Sequence, residues 1–133
     1  MNSLIADLFE RKRRGLPVAN VEGSAFDKAA FSGYTGAENG GGYPLHSLPA
    51  VRAFRALGFN LLSCANTHAS DYGIDGFLAT RQTLIAIGFA VAGCGRSLDE
   101  ARAPAFFDTP RGRVALAAAA RHRTAPGARR CAG

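Results

Sequence analysis

A helix-length segment, a glycine, a phenylalanine and a short apolar strand follow one another twice in this chain. That repeat restricts the fold more than any other feature. Ser47 to Leu57 has helical character, Gly58 stops it, and Phe59 to Cys64 reads as a strand. Ile74 to Ile87 repeats the pattern, with Gly88 as the stop and Phe89 to Ala92 as the strand. Strands that are apolar at nearly every position are buried on both faces, and strands that alternate with helices build parallel sheets. The fold class predicted is α/β.

The rest of the chain fits around that repeat. Ser3 to Arg14 predicts a helix, with Ser3 as cap, Leu4, Ile5, Leu8 and Phe9 on one face, and Gly15 as its end. Pro17 to Val21 predicts a short strand. Residues 23–44, punctuated by six glycines and Pro44, predict a long loop. Ser97-Leu98-Asp99-Glu100 has the pattern of a capping box and starts a short helix. Ala105 to Asp108 and Arg113 to Ala119 predict two strands, with Thr109-Pro110-Arg111-Gly112 as the turn. If Arg113 to Ala119 lies inside a sheet and the ordered chain stops soon after it, an apolar edge is left without a partner. Such edges promote self-association.

A length of 133 residues allows one domain. No apolar run reaches the roughly 20 residues of a membrane-spanning helix, and the segment after Met1 lacks a signal peptide's apolar stretch. The net charge is +6, but residues 1–120 hold 12 basic and 10 acidic side chains. The remaining excess is Arg121, Arg123, Arg129 and Arg130. That tail has no aromatic residue to stack on bases, and Arg11-Lys12-Arg13-Arg14 complements a helix C-terminus, so no nucleic-acid partner is expected. Ten of the last 13 residues are Arg, Ala, Pro or Gly, and the chain uses 14 Arg against two Lys. The expected organisation is a domain over 1–120 and an Arg-rich tail over 121–133. The tail is either disordered or translated out of the ancestral frame of GC-rich DNA. Cys64, Cys94 and Cys131 are odd in number and lack a CxxC spacing, so neither a disulfide framework nor a structural zinc site is predicted; Cys64 and Cys94 read as small buried residues.

Ligands of open α/β sheets gather at the carboxyl ends of the strands. Two such ends here are polar: Asn20-Val21-Glu22-Gly23, and Asn66-Thr67-His68-Ala69-Ser70-Asp71-Tyr72-Gly73. Asn, His and carboxylates can ligate a divalent metal, and a His beside a phosphate can protonate a leaving oxygen. The bland alternative is that Asn66 and Asp71 make turn hydrogen bonds while Gly73 relieves a positive φ. Gly93-Cys94-Gly95 does not open a dinucleotide fingerprint, because position 98 is Leu where a third Gly is required.

The segment 66–73 resembles the N-N-H-x-x-D-Y-G signature of the CapA family of bacterial poly-γ-glutamate capsule synthesis proteins. Ala56 to Ser63 is similar to the family's approach to that signature. Gly93 to Pro104 is similar to its G-x-G-x-x-L-x-E-A-x-x-P stretch, Gly112 to Leu116 to the strand that follows, and Ala19 to Gly23 to its A-N-L-E-G. The likeness runs from about Pro17 to Ala120. It implies a fold like the calcineurin-type metallophosphatases, here a partial sheet sandwich flanked by helices. By the same resemblance His68 and Asp71 are the candidate catalytic residues, with His68 as the acid or phosphate contact and Asp71 and Tyr72 orienting the loop. Asn66, Glu22 and Asn20 are the candidate ligands of a divalent metal such as Mn, Zn or Fe. An anionic polymer or a phosphate-like molecule is the implied substrate, and a membrane or extracytoplasmic setting is common in the family.

Several positions depart from the family pattern. Thr67 stands where a second Asn is usual, no strand ending in Gly-Asp precedes Asn20, and later His and Glu motifs are replaced by the Arg-rich tail. The expectation is therefore a truncated domain with an incomplete metallophosphoesterase-type site and little hydrolase activity of its own. A non-catalytic scaffold and a gene fragment without function are the alternatives. His46 is expected to be a surface loop residue and His122 to have no role.

Overall fold

The computed structural model describes residues 16–35 and 42–120. The predicted helix Ser3–Arg14 and the tail from Arg121 lie outside those residues. Both repeated units form as expected. Strands β1 (Val18–Asn20), β4 (Leu61–Ser63) and β5 (Ala90–Ala92) make a parallel sheet in the order β1-β4-β5, with Ala19, Leu62 and Val91 in register. Helix α1 (Leu48–Ala56) leads into β4, and α2 (Gly73–Ile87) connects β4 to β5. The fold is α/β.

Local chemistry fixes the helix ends. The Ser47 hydroxyl accepts the Ala50 N–H at 3.4 Å, and Pro49 sits in the first turn, where its missing N–H costs nothing. Gly88 ends α2 at φ 102°, a left-handed conformation that only glycine adopts freely, and its N–H returns to the last turn of the helix. Helix α3 (Leu98–Arg102) starts as the capping-box pattern predicts on one side: the Ser97 hydroxyl accepts the Glu100 N–H at 3.2 Å. The Glu100 carboxylate reaches the N–H of Arg96 at 2.9 Å, one residue before the cap.

Burial follows the strand pattern. Leu61 and Leu62 point to opposite faces of the sheet, yet they are 0 % and 2 % exposed. Leu62 belongs to a core with Ala25, Val51, Cys64, Leu84, Phe89 and Cys94, drawn from the sheet and both helices. A cavity of about 60 Å³ between α1 and the sheet borders Val51, Phe54, Leu62 and Leu84.

Two expectations are corrected. The segment 23–44 is not loop throughout, because β2 (Ser24–Ala25) pairs in parallel with β3 (Leu45–His46). Ser24, Ala25 and Phe26 are buried, and the Ala25 N–H donates to the Thr80 hydroxyl of α2 at 3.1 Å. Apolar packing against α2 holds this backbone, and a two-residue strand leaves almost no periodicity to read. The second correction concerns the hairpin. Strands β6 (Ala105–Thr109) and β7 (Gly112–Leu116) pair antiparallel about the predicted turn, with β6 lying against β4 and β5. However, β7 ends at Leu116 rather than Ala119, and four of its five residues are exposed. It is an outer strand, so its apolar residues are not core. On its surface Arg113 makes a bidentate pair with Asp108 at 2.6 and 2.9 Å. The guanidinium's hydrogen bonds hold the Asp108 carboxyl below its ordinary range.

The core makes a direct stability prediction. Leu62→Ala should lower the unfolding free energy by about 3 kcal/mol, because it enlarges a space that is already incompletely filled. Val114→Ala on β7 should change it by less than about 0.5 kcal/mol. Denaturant titration of the two variants checks both values.

Candidate functional site

The carboxyl ends of β1 and β4 lie side by side, and hydrogen bonding continues past the strands. The Val21 N–H donates to the Ser63 carbonyl at 2.9 Å. Asn66, three residues beyond Ser63, then turns its side chain back onto the neighbouring strand end. Its Nδ2 donates to the Val21 carbonyl at 2.5 Å and to Asn20 Oδ1 at 3.3 Å. Asn20 Nδ2 in turn donates to Glu22 Oε2 at 2.7 Å. The three candidate ligands predicted from the sequence are thus brought together, joined directly by their side chains.

The other oxygen of this network starts the loop. Asn66 Oδ1 accepts the His68 N–H at 3.0 Å, an Asx turn that fixes the backbone at His68. Reverse turns follow, with Ala69 N–H to the Asn66 carbonyl and Asp71 N–H to the His68 carbonyl. They bring Asp71 back to His68, and Oδ2 lies 2.8 Å from Nδ1. The Asp71 side chain is fully buried, while that of His68 is 27 % exposed. Asp71 immediately precedes Tyr72, the N-cap residue of the 15-residue α2, so the helix dipole favours a negative charge there. An imidazole held through Nδ1 by a carboxylate presents Nε2 as its working nitrogen. Gly73 at φ 66° supplies the turn into α2. The bland reading of Asn66, Asp71 and Gly73 as turn formers therefore holds, and the same bonds orient His68.

Tyr72 anchors the loop from below. It is buried, packs edge-on against Phe26 at 5.2 Å between ring centroids, and donates its hydroxyl to the Tyr43 carbonyl at 3.3 Å. His46 corrects the sequence reading. It is half-buried on β3, and its Nε2 donates to the Glu22 carbonyl at 2.9 Å, holding the segment that carries Glu22. Its only sequence signal was a polar residue between Leu45 and a helix cap, and this is shared by many surface positions.

The donor set can be compared with what a metal needs. Among the described residues, no group of three His, Cys, Asp or Glu is placed to hold an ion. Asn20, Glu22 and Asn66 supply one carboxylate and two amides, and both amide oxygens accept hydrogen bonds within the network. A two-metal hydrolytic centre holds its ions some 3.5–4 Å apart and needs several anionic ligands to do so. These residues do not fit such a centre by themselves. Just past the carboxyl ends of β4 and β5 lie Cys64 and Cys94, both free and, as expected, buried. A hydrogen bond to Cys94 and burial push the Cys64 thiol up, while that bond and Arg81 draw Cys94 down.

Sheet and loop together define an α/β protein whose polar site sits at the carboxyl ends of parallel strands. The chain belongs to the bacterial capsule synthesis protein family PGA_cap, whose model matches residues 5–132. It is similar to two proteins of Sinorhizobium fredii (strain NBRC 101917 / NGR234), the uncharacterized proteins y4sH and y4uA. Each is 41 % identical over 98 residues, which cover 73 % of this chain and 21 % of the relative. The chain thus spans about a fifth of the length of the curated relatives it matches. No helix among the described residues is long and apolar enough to cross a membrane.

Asn66→Ala should leave the His68 N–H without its acceptor and break the bridge to Val21. The expected cost is about 2 kcal/mol. Amide hydrogen exchange should show His68 losing protection well before Leu62.

Proposed function

We propose that this chain carries the part of a capsule-synthesis site that receives an anionic group, a phosphate or the γ-linked carboxylate polymer of the capsule. The observation that carries the reading is the His68–Asp71 pair. A buried carboxylate holds Nδ1, and the partly exposed ring offers Nε2 at a strand end. In that geometry His68 donates a hydrogen bond or a proton from Nε2 to an anionic oxygen, and Asp71 stabilises the imidazolium that carries the proton. Asn66 sets the loop, and Glu22 with Asn20 lines the neighbouring strand end.

The reaction needs more than these residues. The described donor set does not hold a pair of metal ions, and the relatives are about five times the length of the aligned region. Binding and orientation belong to this chain, while hydrolytic or transfer chemistry awaits groups supplied elsewhere. A non-catalytic scaffold is the second reading. It is favoured by the way Asn20, Glu22 and Asn66 satisfy one another.

The test is binding of a γ-glutamyl oligomer and of inorganic phosphate, followed by calorimetry and by NMR of the His68 ring. His68→Ala should weaken binding by about tenfold, the value of one charge-assisted hydrogen bond. Asp71→Asn should shift the His68 ring signals and weaken binding without unfolding the chain. Unchanged affinity in His68→Ala would sink the reading in favour of the scaffold. With Mn²⁺ and a phosphoester or γ-glutamyl substrate, turnover by the chain alone should stay at background. Robust turnover lost in His68→Ala would instead make it a complete hydrolase.

A further inference from the structure

We infer that Cys64 and Cys94 form a redox modification site, at which a peroxide converts the two thiols into an intrachain disulfide joining the ends of β4 and β5. Both cysteines are free, and both belong to the one core cluster. Each lies just past the end of its strand, and β4 and β5 are hydrogen-bonded neighbours. The Cys64 N–H donates to the Ala92 carbonyl at 2.9 Å, which carries the pairing past Ser63. Beyond it the two chain segments run in contact. A Cβ placed on Gly93 would stand 2.7 Å from the Ala65 Cβ and 3.1 Å from the Ala65 nitrogen. The thiols themselves are hydrogen-bonded to each other. Continuing the register, Cys64 stands opposite Gly93 and Cys94 one residue further on. A strand spacing of about 4.8 Å and a rise of about 3.3 Å per residue keep the two Cα atoms within the span of about 4.4–6.8 Å that a disulfide bridges.

The chemistry balances with hydrogen peroxide as the named oxidant. The hydrogen bond shared with Cys64 and the positive charge of Arg81 draw the Cys94 thiol down, so its sulfur is assigned as the attacking thiolate. Attack on one peroxide oxygen breaks the O–O bond and leaves a sulfenic acid on Cys94, and the departing hydroxide takes a proton to become water. The Cys64 sulfur then attacks the Cys94 sulfur. The S–O bond breaks, the S–S bond forms, and the hydroxyl leaves with the Cys64 proton as a second water. Two thiols and one peroxide become one disulfide and two waters. At 4 % and 3 % exposure the two residues are closed to bulky thiol reagents, so a small neutral oxidant is the kind that suits them. The product sits two residues ahead of Asn66, so oxidation state is linked through Ala65 to the loop that orients His68.

The experiment treats the full folded chain, and its Cys131→Ser variant, with hydrogen peroxide, then alkylates in denaturant and maps peptides by mass spectrometry. The expected result is the loss of two hydrogens, a linked Cys64–Cys94 peptide pair, and full reversal by dithiothreitol. In Cys64→Ser treated with peroxide and then with dimedone in denaturant, an adduct should appear on Cys94. When the same oxidation is run in urea, the pairing should scatter among all three cysteines. Alkylation of both Cys64 and Cys94 after peroxide treatment of the folded chain would overturn the inference. So would a disulfide that forms only with Cys131.

Discussion

One side chain couples sheet to site. The Asn66 amide spans the ends of β1 and β4, bonding through nitrogen to Val21 and Asn20 and through oxygen to the N–H of His68. Backbone groups at the end of a parallel strand have no further ladder partners, and a half-buried carbonyl such as that of Val21 must be satisfied somehow. A carboxylate in this position could only accept, and so could not serve Val21. A lysine could only donate, and so could not hold His68. An amide does both, and so the same residue closes the sheet and opens the loop.

Beyond Asn66, burial explains why the loop holds a histidine in one orientation. Asp71 is wholly buried, where an isolated charge is costly unless compensated. Compensation comes from the His68 ring and from the first turn of α2. The exposed end of the pair is therefore the imidazole and the protected end is the carboxylate. Tyr72, wedged among Phe26, Phe31 and Tyr43, keeps that turn from moving relative to the core. The orientation of the His68 ring thus depends on aromatic packing on the far side of the helix start, a link that runs from apolar burial to loop geometry.

Most of this architecture could be read in the sequence where the signal is strong and local. Both helix–Gly–Phe–strand units appear with their stops at Gly58 and Gly88, because a positive φ and a run of apolar residues leave clear marks. The cluster at 66–73 was visible because polar residues crowd abruptly behind an apolar strand. What escaped notice depends on distant partners. Ser24 and Ala25 form a strand only because β3 and Thr80 meet them, and the intervening glycines look like plain loop. His46 bonds to Glu22 across 24 positions of sequence, and no local pattern encodes such a pairing. The extent of β7 differs from its sequence pattern for the opposite reason. Its apolar residues match a buried strand, but among the described residues four of its five positions are exposed.

The glycine at position 93 shows how tightly core and site are bound together. Its φ of 81° turns the chain after β5, and any larger residue would drive a Cβ into Ala65 and Ala118. Ala65 is the single residue between Cys64, which packs in the core, and Asn66, which organises the site. A displacement at the end of β5 is therefore passed across the Ala65 contact toward Asn66, because closely packed contacts transmit strain. The thiol pair lies on that same path, one residue to either side of the Ala65–Gly93 contact. Under the proposed disulfide, a change in the spacing of β4 and β5 there would be felt two residues on, at the Asn66 amide that orients His68. In this chain the polar loop is an extension of the core and not an appendage to it.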